Sequence, residues 1–416
     1  MKRVLSAVAL LAALFSQASA QAVPTTEPGS QLTVYLLTMG PGDQVWEKFG
    51  HNAIWIHDER THTDSAYHWG LFDFADKDFI PRFVQGRMRY AMGSFGFDET
   101  IEAYRQTNRT VWAQRLNLAP AERQRLQDFV KWNVLPENRY YRYDYFRDNC
   151  STRVRDALDA ALGGAIKRAS TDIPSRTTYR FHTSRLTQDD WPVFTGTMMG
   201  LGQPTDRMID AWEEMFLPVR MMDRFRSIRI PTATGTQPLV QAETILFQAT
   251  REPEDSAVRR GITGYLAIAC VILALGIGLW FAGLRRGAIT LALVWSFVAG
   301  LGGTLLAGLW AFTDHLYSYR NENILQLNPL SLFLAAALVA LLWRTRRGKT
   351  GVPSIVTVAL AALVAAVAIG GFIVQVLPAF YQVNGDVIAL SLPLHLGVAA
   401  LIVALAAKQD VKPTDS

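Results

Sequence analysis

The runs REPEDSAVRR at 251–260 and GITGYLAIACVILALGIGLWFAG at 261–283 mark where the chain changes character. The first is charged, is broken by Pro253 and reads as a linker. The second carries no charged side chain. A helix rising 1.5 Å per residue needs about 20 such residues to cross a hydrocarbon core roughly 30 Å thick, so 261–283 reads as a membrane span. Four more apolar stretches follow, at 288–312, 329–343, 355–377 and 387–407. The third is short and is expected to borrow 324–327 to reach across. Residues 258–410 are therefore read as an all-α membrane domain of about five transmembrane helices.

Lys and Arg in short loops set the orientation. Arg285 and Arg286 separate the first two spans, and Arg344, Arg346, Arg347 and Lys349 separate the third and fourth. Both loops are expected in the cytoplasm, with Ser416, while 314–328 and 378–386 lie outside. The N-terminus agrees. Lys2 and Arg3, the apolar run 7–15 and the small-x-small site Ala18-Ser19-Ala20 predict a signal peptide over 1–20 and a mature chain from Gln21. A first membrane span is the alternative, but the run is too short for one. Residues 21–257 are thus read as an exported domain on the outer side.

The net charge of +5 does not indicate nucleic acid, since much of it flanks the apolar segments. Two cysteines are present, Cys150 in the exported part and Cys270 inside a span, so a bridge between them is not expected. A leftover thiol in an oxidising compartment is a candidate reactive group.

Periodicity makes the exported domain mixed α and β. Residues 32–37, 53–57 and 65–72 read as strands, and 110–118 alternates as another. Residues 97–105 and 119–135 read as helices, the second with Pro120 in its first turn and Leu126, Phe129, Val130 and Val134 on one face. The aromatic, arginine-rich 140–146 is strand or loop. Asp148 or Asn149 then caps a short helix bearing Val154, Leu158 and Leu162.

The chemistry sits in Phe49-Gly50-His51 and Asp148-Asn149-Cys150. Cys150 starts a helix, where free N–H groups and the positive end of the macrodipole lower a thiol pKa. Imidazole is the usual base partner for a thiol at neutral pH, and His51 stands just before a strand that can aim it. Spacing alone does not separate this from a small buried core cysteine and a structural histidine. His57, His62, His68 and His182 also compete. His57 and His62 flank a charged turn, and His182 lies in a polar stretch of low periodicity.

The order of these motifs resembles the permuted papain-like thiol enzymes, in which the His precedes the Cys. It comprises Phe-Gly-His, then Tyr-His-Trp-Gly-Leu-Phe-Asp-Phe at 67–74, then Asp-Asn-Cys-Ser-Thr-Arg-Val-Arg-Asp at 148–156. NlpC-like hydrolases and lecithin:retinol acyltransferase belong to that group. The whole chain is similar to the Lnb family of bacterial lipoprotein N-acyltransferases. That likeness includes Trp212-Glu-Glu-Met-Phe-Leu-Pro218, His315, Asn321-Glu-Asn-Ile-Leu325 and Asn328-Pro-Leu330. It implies an α+β, NlpC-like periplasmic domain with Cys150 as nucleophile, His51 as base and His68 at the place of the group that orients the base. An Asn is common there, so His68 departs from the pattern. Asn149 would cap the helix or, with the Cys150 backbone N–H, stabilise an oxyanion. Arg153 and Arg155 would contact a phosphate headgroup or form a solvated helix face.

The outer loop at 314–328 concentrates Asp314, His315, Arg320, Asn321 and Asn323. It is read as a wall for a lipid-borne substrate, beside the plainer reading of a solvated connector. The resemblance implies an acyltransferase of the bacterial inner membrane that takes an acyl chain from a phospholipid through a Cys150 thioester to the α-amine of a diacylglyceryl-cysteine lipoprotein. No cofactor is called for, since no HExxH motif or Cys/His cluster is present. Two rivals remain on sequence alone: a membrane-anchored thiol peptidase or amidase acting on cell-wall peptide, and a non-enzymatic sensor or assembly module with an inert Cys150.

Overall fold

The computed structural model describes residues 27–407, apart from 233–234, 253, 260 and 348–350. The segments read as a signal peptide and as the C-terminal tail, and Lys349, lie outside the described residues.

The N-terminal half is built on one sheet of seven strands. They are β1 (Leu32–Met39), β2 (His51–Asp58), β3 (Thr63–Leu71), β4 (Arg89–Gly96), β5 (Val111–Leu116), β6 (Tyr140–Arg142) and β7 (Val240–Phe247). Their order is β7-β5-β1-β2-β3-β4-β6, with every pairing antiparallel. β1 is central and apolar on both faces because both faces are covered. Alternate residues divide between the faces. Leu32, Val34, Leu36, Ile54, Ile56, Tyr67 and Trp69 pack on one side against Leu126, Val130, Val154 and Leu158 of the helices Pro120–Asn133 and Cys150–Ala161. Leu37, Met39, Ala53, Ala66 and Val111 pack on the other against Ile101, Phe97 and Tyr104 of the helix Phe97–Gln106.

One helix departs from the sequence reading. Tyr179–Thr187, a polar stretch without apolar period, forms a helix buried on nearly all sides. Its charges are paired, which makes burial tolerable. Arg180 donates to Asp206 at 2.8 Å, Arg185 to Glu254 at 2.8 Å, and His182 Nε2 stands 3.0 Å from Glu214.

Among the described residues, five helices are long and apolar enough to cross a membrane: Ile262–Phe281, Arg285–Phe312, Glu322–Arg346, Ile355–Val376 and Gly385–Ala407. The third gains its length from a 3₁₀ turn at Glu322–Leu325 ahead of the α-helix Leu330–Arg346. The elbow between them lies in a glycine groove of the second span, where a Cβ on Gly303 would overlap the Leu327 carbonyl.

The sheet domain meets the membrane bundle at one sheet edge and through the helix Trp191–Gly200, and at the other edge the linker is pinned to the domain itself. Beyond β7, the segment 251–259 runs to the first span and is pinned by Arg251 to Asp43 at 2.6 Å and by Glu254 to Arg185. At the other edge, Arg142 of β6 and Arg87 before β4 both donate to Asp314, at 3.1 and 2.8 Å, just past the second span. Between these, Trp191 of the helix Trp191–Gly200 stacks on Tyr265 of the first span with ring centroids 4.7 Å apart. The described residues of the linker read at 251–260 therefore lack regular structure but are held in place.

Candidate functional site

Cys150 is the first residue of its helix, and Asn149 is the cap. Asn149 Oδ1 accepts from the Thr152 N–H at 2.9 Å, and its amide donates to the Tyr145 and Phe216 carbonyls at 2.9 and 3.0 Å. Both ends of the side chain are thus spent on structure, which favours the cap over an oxyanion role for its amide. Ser151 is equally committed, donating to Asn52 Oδ1 at 2.8 Å and the Met215 carbonyl at 2.7 Å. The segment Trp212–Pro218 is thereby a clamp on the first turn of the Cys150 helix.

The thiol sits in a notch between strands. Pairing of β2 with β3 runs out at Ala53 and His68, so the Asn52 N–H is free to donate to the Cys150 sulfur. On the far wall Gly70, at φ +90°, lies so close that a Cβ there would stand 3.3 Å from the Cβ of Cys150. Its missing side chain is what opens the notch.

The helix carrying Cys150 covers one face of the sheet, whereas His51 and His68 project from the other. His51 Nε2 is 3.1 Å from His68 Nδ1, and His68 Nε2 is 3.3 Å from Thr100 Oγ1 on the helix Phe97–Gln106. Tyr104 of that helix stacks on His51 and also feels the charge of Cys150. Arg109 acts electrostatically on both His51 and Cys150. Cys150 and the His51–His68 pair thus share two neighbours, Tyr104 and Arg109, across the sheet.

Burial governs the charge states. It pushes the Cys150 thiol above its ordinary value of 9.0, against the pull of the Asn52 and Ser151 N–H groups and of Arg109. This corrects the sequence expectation of a lowered thiol pKa: the helix N-terminus does act, but desolvation outweighs it. Burial also holds His51 well below 6.5, helped by His68 and Arg109, and takes His68 down to about 4. At rest the site is a neutral thiol beside two neutral imidazoles.

Arg109 was not singled out by any sequence signal. Its Nε donates to the Gly40 carbonyl at 2.8 Å, its Nη1 is 3.4 Å from Glu47, and its guanidinium lies over the Tyr104 ring. Its buried Nη2 has no hydrogen-bond partner among the described residues. A buried donor left open beside a nucleophile is equipped to meet a ligand oxygen.

A cleft of about 1160 Å³ lies between the sheet domain and the outer loop, lined by Tyr143, Tyr145, Asp148, Arg153, His315 and Tyr317 among others. Tyr143 also lies within the field of Cys150. Arg153 lines this cleft while paired with Asp148 and stacked on Tyr141. Arg155 is buried against Trp212 and is not part of a solvated face. His315 donates from Nε2 to the Phe83 carbonyl at 2.8 Å. Asn321 and Asn323 are buried and donate to the carbonyls of Met198, Met199 and Gly200, filling the open end of the helix Trp191–Gly200. Arg320 is exposed. Among the described residues no three His, Cys, Asp or Glu groups are disposed to hold a metal ion.

Residues 21–185 match the Lnb N-terminal periplasmic domain, and residues 262–404 match the Lnb transmembrane domain. Together the matches span most of the chain, which belongs to the Lnb family and is a membrane protein with a periplasmic N-terminal domain and five spanning helices. No curated protein and no solved structure matches it.

Proposed function

We propose, from membership of the Lnb family and the site just described, that this protein is a lipoprotein N-acyltransferase of the bacterial inner membrane. What supports the reading is a Cys150 thiol at a helix N-terminus and a buried His51–His68 pair, both influenced by Arg109, in a domain tied to the end of the second span through Asp314. A soluble substrate does not require that attachment. Two lipid-borne substrates do, because their reacting groups stay near headgroup level.

In the first step Cys150 Sγ attacks an ester carbonyl of a phospholipid. The S–C bond forms, the ester C–O bond breaks, and the thiol proton passes through His51 to the departing lysophospholipid alkoxide. In this mechanism His51 takes the proton on the ring nitrogen not turned to His68. Starting from a neutral pair, the transfer is concerted with attack and needs no standing thiolate. The Arg109 Nη2 and the backbone N–H of Cys150 receive the developing oxyanion. In the second step the free α-amine of a diacylglyceryl-cysteine lipoprotein attacks the thioester. The N–C bond forms, S–C breaks, and the amine proton returns through His51 to the sulfur. The cleft beside Tyr143 admits the acceptor, with Arg153 and His315 on its wall.

The test is the intact mass of the protein extracted from membranes. An acyl adduct on Cys150 that hydroxylamine removes, and that is chased off by a diacylated lipopeptide, is the expected result. Peptide hydrolysis with no adduct would replace this reading by a thiol peptidase.

A further inference from the structure

The helix Phe79–Gln85, sequence FIPRFVQ, buries none of its residues, although most of them are apolar. Ile80 is 62% exposed and Phe74 and Trp46 are 59% and 53% exposed. These belong to one surface. Ring centroids link Trp46 to Phe74 at 5.3 Å, Phe74 to Phe79 at 4.9 Å and Phe79 to Phe83 at 6.5 Å. A contiguous patch of this kind on an otherwise ordinary surface marks a binding face.

Its position identifies the occupant. The Asp314 N–H donates to the Gln85 carbonyl at 2.8 Å, His315 donates to the Phe83 carbonyl, and Arg87 is paired with Asp314. Asp314 lies two residues past Phe312, the last residue of the second span. The helix is thus bolted to the end of a transmembrane helix, at the depth where hydrocarbon gives way to headgroups. The patch also leads inward. Phe72 stacks near Phe74 at 4.9 Å and Tyr90 at 5.1 Å, and Tyr90 stacks on Tyr143 at 4.2 Å, within the field of Cys150.

We infer that the surface formed by Trp46, Phe74, Phe79, Ile80, Phe83 and Val84 is a lipid-docking element that lies in the leaflet facing the periplasmic domain and receives phospholipid acyl chains. Apolar burial drives the insertion, not charge. Asp73, Asp76 and Asp78 border the patch, and Arg82 is occupied by Asp76 and Asp78. The insertion is therefore indifferent to salt and needs no anionic lipid. It holds whatever bond Cys150 attacks.

The experiment uses the full chain in phosphatidylcholine nanodiscs, with Cys150→Ala and Cys270→Ala so that added thiols are labelled alone. A polarity-sensitive fluorophore is attached at Ile80→Cys, at Val84→Cys and, as an aqueous control, at Glu137→Cys. Expected is at least threefold stronger quenching at 80 and 84 than at 137 by phosphatidylcholine nitroxide-labelled on its acyl chain. Iodide should show the reverse order, and 0.5 M salt should change neither. Equal iodide quenching at all three positions would overturn the proposal, as would loss of lipid quenching in salt. Because Cys150 is absent from these proteins, the outcome does not depend on the acyl-transfer reading.

Discussion

His51 Nε2 and His68 Nδ1 face each other at 3.1 Å, both buried enough to be neutral, so a single proton lies between them. In the proposed mechanism His68 selects the tautomer of His51, much as a carboxylate or amide does elsewhere. His68→Ala is expected to lower kcat about 10²-fold with little change in KM. His68→Asn should recover most of that loss, because an amide restores a partner for Nε2. The same pair makes the fold acid-sensitive. The unfolded chain takes up a proton near pH 6.5 and the folded His68 only near pH 4, so stability falls as pH drops through that window. The loss at the acid end is up to about 3 kcal/mol for this group. Denaturant melts from pH 7 to pH 4 of wild type and His68→Asn should differ in slope, the variant being flatter.

The raised thiol pKa has a direct signature. Alkylation of Cys150 by iodoacetamide should be slow at pH 7 and should climb with a midpoint above 9.0. His51→Ala should leave that midpoint high and abolish turnover. Cys150→Ser should be folded, inserted and inactive, and Cys270→Ser silent, since Cys270 is exposed on a spanning helix. A midpoint near 6 in wild type would mean that a standing thiolate exists after all.

Gly70→Ala tests the notch. The new Cβ meets Cys150 at 3.3 Å, and the φ of +90° is costly for any L side chain. Stability should fall by about 1–3 kcal/mol. Activity measured on protein that remains folded should fall by at least 10-fold, because sulfur and imidazole are pushed out of line. A variant that lost stability alone would show that Gly70 serves the strand and not the site.

Asn323→Ala separates docking from substrate contact. It strips buried carbonyls of Met198 and Met199 of a donor and should cost about 1–3 kcal/mol. Limited proteolysis should then cut the 188–203 region faster. If the residue only docks the domain, the thioester forms and transfers at normal rates in intact protein. Accumulation of the thioester in Asn323→Ala would instead return this residue to the acceptor site.

Much of this architecture was legible because it follows local period. The apolar run of β1, the amphipathic helix after Pro120, the Asn149 cap and the five apolar spans are all written within a few residues of themselves. Cys150, His51 and His68 were singled out through family order, not through spacing. What escaped is non-local. Arg109 carries no motif and matters because β5 starts beside β1. The helix Tyr179–Thr187 looked like loop because its burial rests on partners such as Asp206 and Glu214, distant in sequence. The thiol pKa was misread because the helix terminus is a local effect, whereas desolvation comes from the whole fold around it. Asn321 and Asn323 looked free to bind a ligand only while the open helix end they fill was out of view.

The contacts between the domain and the bundle bear on how the protein meets its substrates. Arg142 and Arg87 on Asp314, with Trp191 stacked on Tyr265, hold the domain against the bundle at the membrane surface. Encounters are then two-dimensional. For the lipid-borne donor and acceptor proposed above, the quantity that sets the rate is the number of molecules per unit of membrane area, so diluting a vesicle suspension in buffer should leave turnover unchanged, while diluting the substrates with inert lipid inside the same vesicles should slow it in proportion.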